Sequence, residues 1–378
     1  MSCKLLFVVN TDSFFMSHRW SIARAALQQG FEVHVAAGLM NDKDKMQALG
    51  LTVHPLSMSR HSTNVFSNGS IFFQILRIFI RVRPDVVHLV TIKPVIWGGI
   101  AARLVAVPCA VAAIPGLGFI FISHGIRAKI RRWFVGRLYR FAFGHRNLKV
   151  IFQNEHDRAT LIKLVQLPKK KTGLIRGSGV DLEYYFPSPF PQRPPVVILA
   201  ARLLADKGVR EFVQAARVLK EDGNRARFVL VGDFDPGSSA TISDNELKRW
   251  VSEGVVEWWG HHYDMPRVFA CSCMVVLPSY YGEGLPKVLI EAAACGRAVI
   301  TTDHPGCRDA IEPGVTGILV PIHDSAALMG AMKRLLDDFS LCEKMGRAGR
   351  KLAERSFDVR QVIAQHMHIY EELLQQVT

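Results

Sequence analysis

Short, predominantly apolar runs recur along this chain, and most are followed by a stretch with helical spacing. In the first half they fall at 4–10, 32–36, 52–55, 86–89, 109–114, 149–152 and 174–175, with helical patterns near 18–29, 66–82, 95–105, 124–143 and 155–164. A strand that is apolar throughout, not on alternate residues, is buried on both faces, so this pattern predicts a parallel sheet covered by helices on each side. After 195 the alternation restarts. Strands are expected at 196–200, 228–231, 255–258, 274–277, 298–301 and 318–320, and helices at 208–222, 244–252, 264–270, 286–296 and beyond 320. The fold class is therefore α/β, with two doubly wound, Rossmann-like domains facing a cleft.

Residues 182–195 (LEYYFPSPFPQRPP) carry five prolines and no period, which reads as an interdomain linker. The expected division is 1–183, 196–355 and a C-terminal helical segment, 356–378, long enough to cross back to the first domain. Seven cysteines at irregular spacing make no disulfide framework, and Cys271 and Cys273 lack a second ligand pair for zinc. A reduced, cytoplasmic setting fits. Lys4–Asn10 reads as a buried strand and not as a targeting peptide. Leu104–Ser123 runs 20 residues without a charge, but Pro108, Pro115, Gly116 and Gly118 break it, so it is not expected to span a membrane.

Charge changes the picture more than composition does. Residues 1–185 hold 25 Lys and Arg against 9 Asp and Glu, whereas residues 186–378 hold 22 against 24. The basic half should meet something anionic: a membrane surface, a phosphorylated substrate or nucleic acid. Helix 124–143 stands out. Ile126, Ile130, Trp133, Phe134, Leu138 and Phe141 recur at helical spacing among Arg127, Lys129, Arg131, Arg132, Arg137 and Arg140. Such a cationic amphipathic helix suits an anionic membrane interface, and equally a surface helix packing its stripe on the sheet.

Ligands on parallel sheets bind at the carboxyl ends of the strands. In the first half the loops there are Thr11–Ser17, Thr91–Pro94, Pro115–Ser123 and Gly177–Asp181, and they offer His18, Arg19, Lys93 and flexible glycines. A lone His18 at a helix start is more often a cap than a catalyst. In the second half Arg202 and Lys207 follow the first strand directly, placed to neutralise a diphosphate. Glu283 sits between two glycines, and Pro286 opens an apolar helix whose N-terminus is suited to phosphate. Glu291 lies eight residues after Glu283, so both carboxylates could face one bound molecule. Asp233 and Asp235 form a D-x-D pattern in what reads as an ordinary turn, so no metal is expected. No P-loop and no complete G-x-G-x-x-G follows a strand, which excludes the usual kinase, ATPase and dehydrogenase signatures.

The sequence ARLLADKG (201–208), VGDFD (231–235) and GEGLPKVLIEAAACG (282–296), with GSGVD (177–181), FFMSHR (14–19) and VTIKPVIWGG (90–99), resembles the retaining glycosyltransferases of family 4, which have the GT-B fold. The resemblance runs from about residue 4 to about 350, and is to the branch that builds O-antigen, capsule or glycan intermediates on polyprenyl diphosphate. It implies that Arg202 and Lys207 hold the donor diphosphate with backbone N–H groups of Gly284, Leu285, Pro286 and Lys287, proline itself contributing none. Glu291 would bind the nucleotide ribose and Glu283 the hydroxyls of the donor sugar. Arg19, Lys93, Gly116 and Gly118 are the acceptor-side candidates. No cofactor or metal is implied, since those cations and the helix end replace it. The segment Ile114–Gly118 departs from several relatives, which place a histidine after the fifth strand. His18 or His124 would stand for it, or the leaving diphosphate takes the acceptor proton in a front-side attack.

The expected function is transfer of a sugar, an N-acetylhexosamine by preference, from a UDP-sugar to a polyprenyl-diphosphate-linked saccharide. The enzyme would lie peripherally on the inner face of the cytoplasmic membrane, without specific nucleic-acid binding. A UDP-sugar 2-epimerase of similar fold would want more acidic and histidine residues than these loops supply. A basic nucleic-acid-binding module using 124–146 is the reading from a different class.

Overall fold

The structure, a computed structural model, describes residues 2–39, 42–58, 65–117, 125–191 and 194–377. The chain forms two compact units, Met1–Ser178 with Arg360–Thr378, and Gly179–Val359.

The first unit holds seven parallel strands: β1 (Lys4–Thr11), β2 (Glu32–Gly38), β3 (Thr52–Pro55), β4 (Val86–Val90), β5 (Cys109–Ile114), β6 (Leu148–Phe152) and β7 (Thr172–Leu174), in the order β3-β2-β1-β4-β5-β6-β7. Successive strand residues point to opposite faces, and both are covered, which is why β1 is apolar and buried from Leu5 to Val9. Leu6 and Val8 join the core beneath helices Val65–Val82, Gly99–Leu104, Ile126–Ala142 and Glu155–Val165. Leu5, Phe7 and Val9 join the core beneath Trp20–Gln28 and Val359–Gln375, the latter through Val362, Met367, Ile369, Tyr370 and Leu373.

The second unit repeats the plan with β8 (Val196–Ala200), β9 (Arg227–Val231), β10 (Glu257–Gly260), β11 (Met274–Leu277), β12 (Ala298–Thr302) and β13 (Gly317–Val320), ordered β10-β9-β8-β11-β12-β13 and all parallel. Its helix Asp244–Ser252 starts in a capping box between Ser243 and Glu246. In both sheets the strand order reverses beside the first strand, between β1 and β4 and between β8 and β11.

Three expectations need correction. Thr11–Ser17 is not a loop: Asp12–His18 is a helix, capped by Thr11 Oγ1, which accepts from Phe14 N at 3.3 Å. His18 therefore closes a helix instead of opening one. The proline-rich 182–195 is not a linker between the units: the break falls at 178/179 instead of 183, which puts this segment in the second unit. Two arginines use backbone carbonyls of this segment: buried Arg297 donates to Ser188 O and Pro189 O, both at 3.2 Å, and Arg350 donates to Tyr185 O at 2.8 Å. Third, 95–105 is not one regular helix, since Pro94–Gly98 forms a π-helical turn ahead of Gly99–Leu104.

No described helix is long and apolar enough to cross a membrane, and within the charge-free stretch Cys109–Ile114 is the interior strand β5. The basic helix Ile126–Ala142 serves both sides. Leu138, Tyr139 and Ala142 pack inward, while Ile130, Trp133 and Phe134 are 62%, 62% and 57% exposed.

Candidate active site

The second unit's candidates collect where β8 and β11 end, at its strand-order reversal. The chain leaves β8 through Arg202 and a tight turn, Ala205–Lys207, closed by Gly208 at φ +74°. A Cβ on Gly208 would stand 2.3 Å from Pro278 O, so only glycine lets this turn lie against the end of β11. Lys207 is thereby carried inward, its side chain 10% exposed, and forms an ion pair with Glu283. Its ammonium also lies 5.2 Å from the centre of the Tyr281 ring. Arg202 pairs with Asp235 of the D-x-D pattern. In the protein alone, then, each of the two cations is matched by a carboxylate.

The loop that carries Glu283 is tied to the Lys207 turn by backbone contacts. Asp206 O accepts from Tyr280 N at 3.0 Å and from the Ser279 hydroxyl at 3.2 Å, while Ser279 O accepts from the Thr302 hydroxyl. Glu283 N donates to Tyr281 O at 2.7 Å, which fixes a sharp bend. Gly306, at φ +84°, passes so close that a Cβ there would lie 2.1 Å from Gly284 O and 2.6 Å from Glu283 O.

The helix Lys287–Ala294 follows, with Pro286 at its N-cap and not at its first helical position, and no carboxylate in its first turn. A helix start of that composition keeps its positive end for an anion. Glu291 is buried within it. Its Oε1 accepts from the Tyr185 hydroxyl at 2.7 Å and pairs with Lys287 at 3.1 Å. Burial, then the Glu291 charge, pushes the Tyr185 phenol far up, so it remains a donor to that carboxylate. Tyr185, Asp235 and Gly306 are the residues that the sequence did not mark as part of this constellation.

The first unit's candidates are dispersed. His18 stacks on Phe14 at 4.3 Å, and its Nδ1 lies 2.7 Å from the Ser17 hydroxyl. Arg19 is inside the unit, 2% exposed, donating to His18 O at 2.9 Å and Ser178 Oγ at 3.3 Å. Burial lowers its pKa to about 10. Arg19 thus lies inside the unit at the start of the following helix. Lys93 is half-buried ahead of the π-helical turn, and burial lowers its amine's pKa. Gly116 follows β5 at φ 151°. Gly118 and His124 lie outside the described residues.

Sequence comparison matches residues 4–154 to the family described as glycosyl transferase 4-like and residues 194–338 to glycosyl transferases group 1. One relative is the N,N'-diacetylbacillosaminyl-diphospho-undecaprenol alpha-1,3-N-acetylgalactosaminyltransferase of Campylobacter jejuni, 28% identical over 96% of this chain and 99% of its own. Another is the UDP-Gal:alpha-D-GlcNAc-diphosphoundecaprenol alpha-1,3-galactosyltransferase of Escherichia coli, 27% identical over 67% of both chains. Among solved structures, Anabaena HepE in complex with UDP and glucose superposes with a TM-score of 0.78 at 18% identity, covering 97% of this chain and 98% of its own. The protein belongs to the glycosyltransferases of GT-B fold. Within that class it is a hexosyltransferase of the family 4-like kind.

Proposed function

We propose that this enzyme transfers a sugar, an N-acetylhexosamine by preference, from a UDP-sugar to a polyprenyl-diphosphate-linked saccharide, retaining the anomeric configuration. The observation that carries the reading is the Arg202, Lys207, Glu283 and Glu291 constellation at the ends of β8 and β11, beside a helix start without a carboxylate. An incoming diphosphate would take the cations from Asp235 and Glu283, which frees Glu283 for the sugar hydroxyls. Glu291, fixed by Tyr185 and Lys287, would keep an oxygen for the ribose. The names of the Campylobacter and Escherichia relatives support the acceptor class, and their alpha-1,3 products support retention, since UDP-galactose and its N-acetyl analogue carry an alpha-linked leaving group.

The donor's charge is met by side chains and a helix end, so no metal is required in this scheme. Incubation with UDP-N-acetylgalactosamine and a short-chain polyprenyl-diphosphate saccharide should yield an alpha-linked product, undiminished in EDTA. A beta-linked product would remove the retaining reading. Epimerised UDP-sugar without acceptor would replace transfer by epimerase chemistry.

The acceptor stays in a bilayer, so the first unit would rest peripherally on the inner face of the cytoplasmic membrane. Exposed Ile130, Trp133 and Phe134 among Lys129, Arg131 and Arg132 support this, as do exposed Phe73, Ile80 and Leu104 on helices that cover the same sheet face. Each basic residue near an anionic surface contributes about 1 kcal/mol. Lys129, Arg131 and Arg132 changed together to Gln should lower sedimentation with anionic vesicles and transfer to the lipid-linked acceptor, while UDP binding is unchanged. Sedimentation equal to the parent's would show that the basic helix serves packing alone. Binding to oligonucleotides should be weak and salt-sensitive, without sequence preference.

A further inference from the structure

Beside the exposed apolar residues of the first unit lies an open pocket of about 330 Å³ lined by Arg103, Arg137, Arg140 and Phe141. Two helices build it: Gly99–Leu104 supplies Arg103, and Ile126–Ala142 supplies the others. The guanidinium groups are held by neutral acceptors and rings. Arg103 donates to Phe141 O at 3.0 Å and stacks 4.5 Å from the centre of the Phe141 ring. Arg140 donates to Val165 O at 3.3 Å and Gln166 Oε1 at 2.5 Å, and Arg137 lies 5.2 Å from the centre of the Trp133 ring. Among the described residues no carboxylate pairs with any of the three. The sequence extends this imbalance, since residues 86–154 contain ten Lys and Arg and no Asp or Glu.

Three oriented cations without a counter-ion among the described residues, around a space ample for a phosphate group, form an anion site whose remaining N–H donors suit phosphate oxygens. The surroundings decide the source. Leu104, next to Arg103, is 60% exposed, and Trp133, one turn before Arg137, is 62% exposed. Apolar and indole side chains beside a phosphate site match the boundary between lipid headgroups and acyl chains.

We propose that this pocket receives the phosphodiester of an anionic membrane lipid, which makes it a headgroup site and not merely part of a basic surface. The proposal rests on the membrane reading above and deepens it. The test titrates the full-length protein with short-chain dihexanoyl phosphatidylglycerol below its micellar concentration, and separately measures sedimentation with phosphatidylglycerol vesicles. Arg103→Gln with Arg137→Gln is compared with Arg131→Gln with Arg132→Gln, which removes equal charge from the same region. The comparison pair should keep saturable short-chain binding and lose only general attraction, roughly thirtyfold in vesicle partitioning. The pocket pair should abolish saturable binding and lower partitioning on the order of a hundredfold, since charge-assisted hydrogen bonds go with the charge. Arg137→Gln alone, whose polar and ring contacts among the described residues come down to the Trp133 ring, should weaken short-chain binding with an unchanged unfolding midpoint, and so separates recognition from folding.

Equal losses for the two pairs, with no saturable short-chain binding to the parent, would overturn the pocket and leave the membrane reading standing. Short-chain binding by a parent that ignores vesicles would overturn the membrane reading, and with it a lipid as the natural ligand. Inorganic phosphate or an oligonucleotide competing at concentrations as low as the lipid's would assign the pocket to another anion.

Discussion

Lys207→Ala is expected to raise the Kd for UDP by roughly ten- to a hundredfold, which corresponds to loss of a charge-assisted contact of about 1.5–3 kcal/mol. The reason is geometric. The Lys207 and Glu283 side chains are 10% and 16% exposed, so water can replace little of what either loses. In the variant the carboxylate of Glu283 remains, and it would face the diphosphate proposed to bind here with no cation between them. The folded protein also bears part of the cost, since removing one partner of a largely buried pair leaves a charge uncompensated. Lys207→Ala should therefore lower the unfolding temperature, and Lys207→Met combined with Glu283→Gln should recover stability without recovering UDP binding. Arg202→Ala should have the smaller effect on affinity, because Arg202 is 32% exposed and solvent replaces more of its contact. Calorimetric titration in which Lys207→Ala binds UDP like the parent would remove Lys207 from the donor site.

How much of this could be read beforehand depended on the distance over which each feature is encoded. Strands buried on both faces, such as β1 and β5, announce themselves by unbroken apolar runs, and the helices between them by their period. The helix Asp12–His18 did not, because seven residues with two serines and an aspartate give too short a pattern, and its signal is one cap at Thr11. The cations and carboxylates of the second unit were legible because Arg202 and Lys207 share one turn and Glu283 and Glu291 one loop and helix. Their partners were not. Tyr185 and Glu291 meet across 106 positions, and Tyr185 lay in a segment whose prolines suggested a linker. Asp235 looked like a metal ligand or a turn residue, and only the fold sets it against Arg202, 33 positions earlier. Burial was equally hidden: Arg19, an acceptor-side candidate from its place after β1, is 2% exposed, which only the fold reveals.

The second large effect concerns the division of labour between the two glutamates, and it is expected to appear as a split between turnover and apparent affinity. Glu291→Gln should raise the donor KM about tenfold with little change in kcat, if its carboxylate binds the ribose, since such a contact is shared by the ground state and the transition state. Glu283→Gln should instead lower kcat on the order of a hundredfold while UDP binding changes by only a few-fold, if its carboxylate orients the sugar at the reacting carbon. Gly306→Ala tests the same role without touching the carboxylate. Its new Cβ would stand 2.1 Å from Gly284 O and 2.6 Å from Glu283 O, at a φ of +84° that alanine itself resists, so the loop must move. A shift of about 1 Å at a positioning group is enough to cost about a hundredfold in rate. Lys207 is held from the other side of the pair, by its own turn against Pro278. Turnover in Gly306→Ala should thus fall further than UDP affinity does. Steady-state kinetics in which Glu291→Gln loses turnover and Glu283→Gln loses affinity would exchange the two roles, and unimpaired turnover in Gly306→Ala would mean that the position of Glu283 does not govern the chemical step.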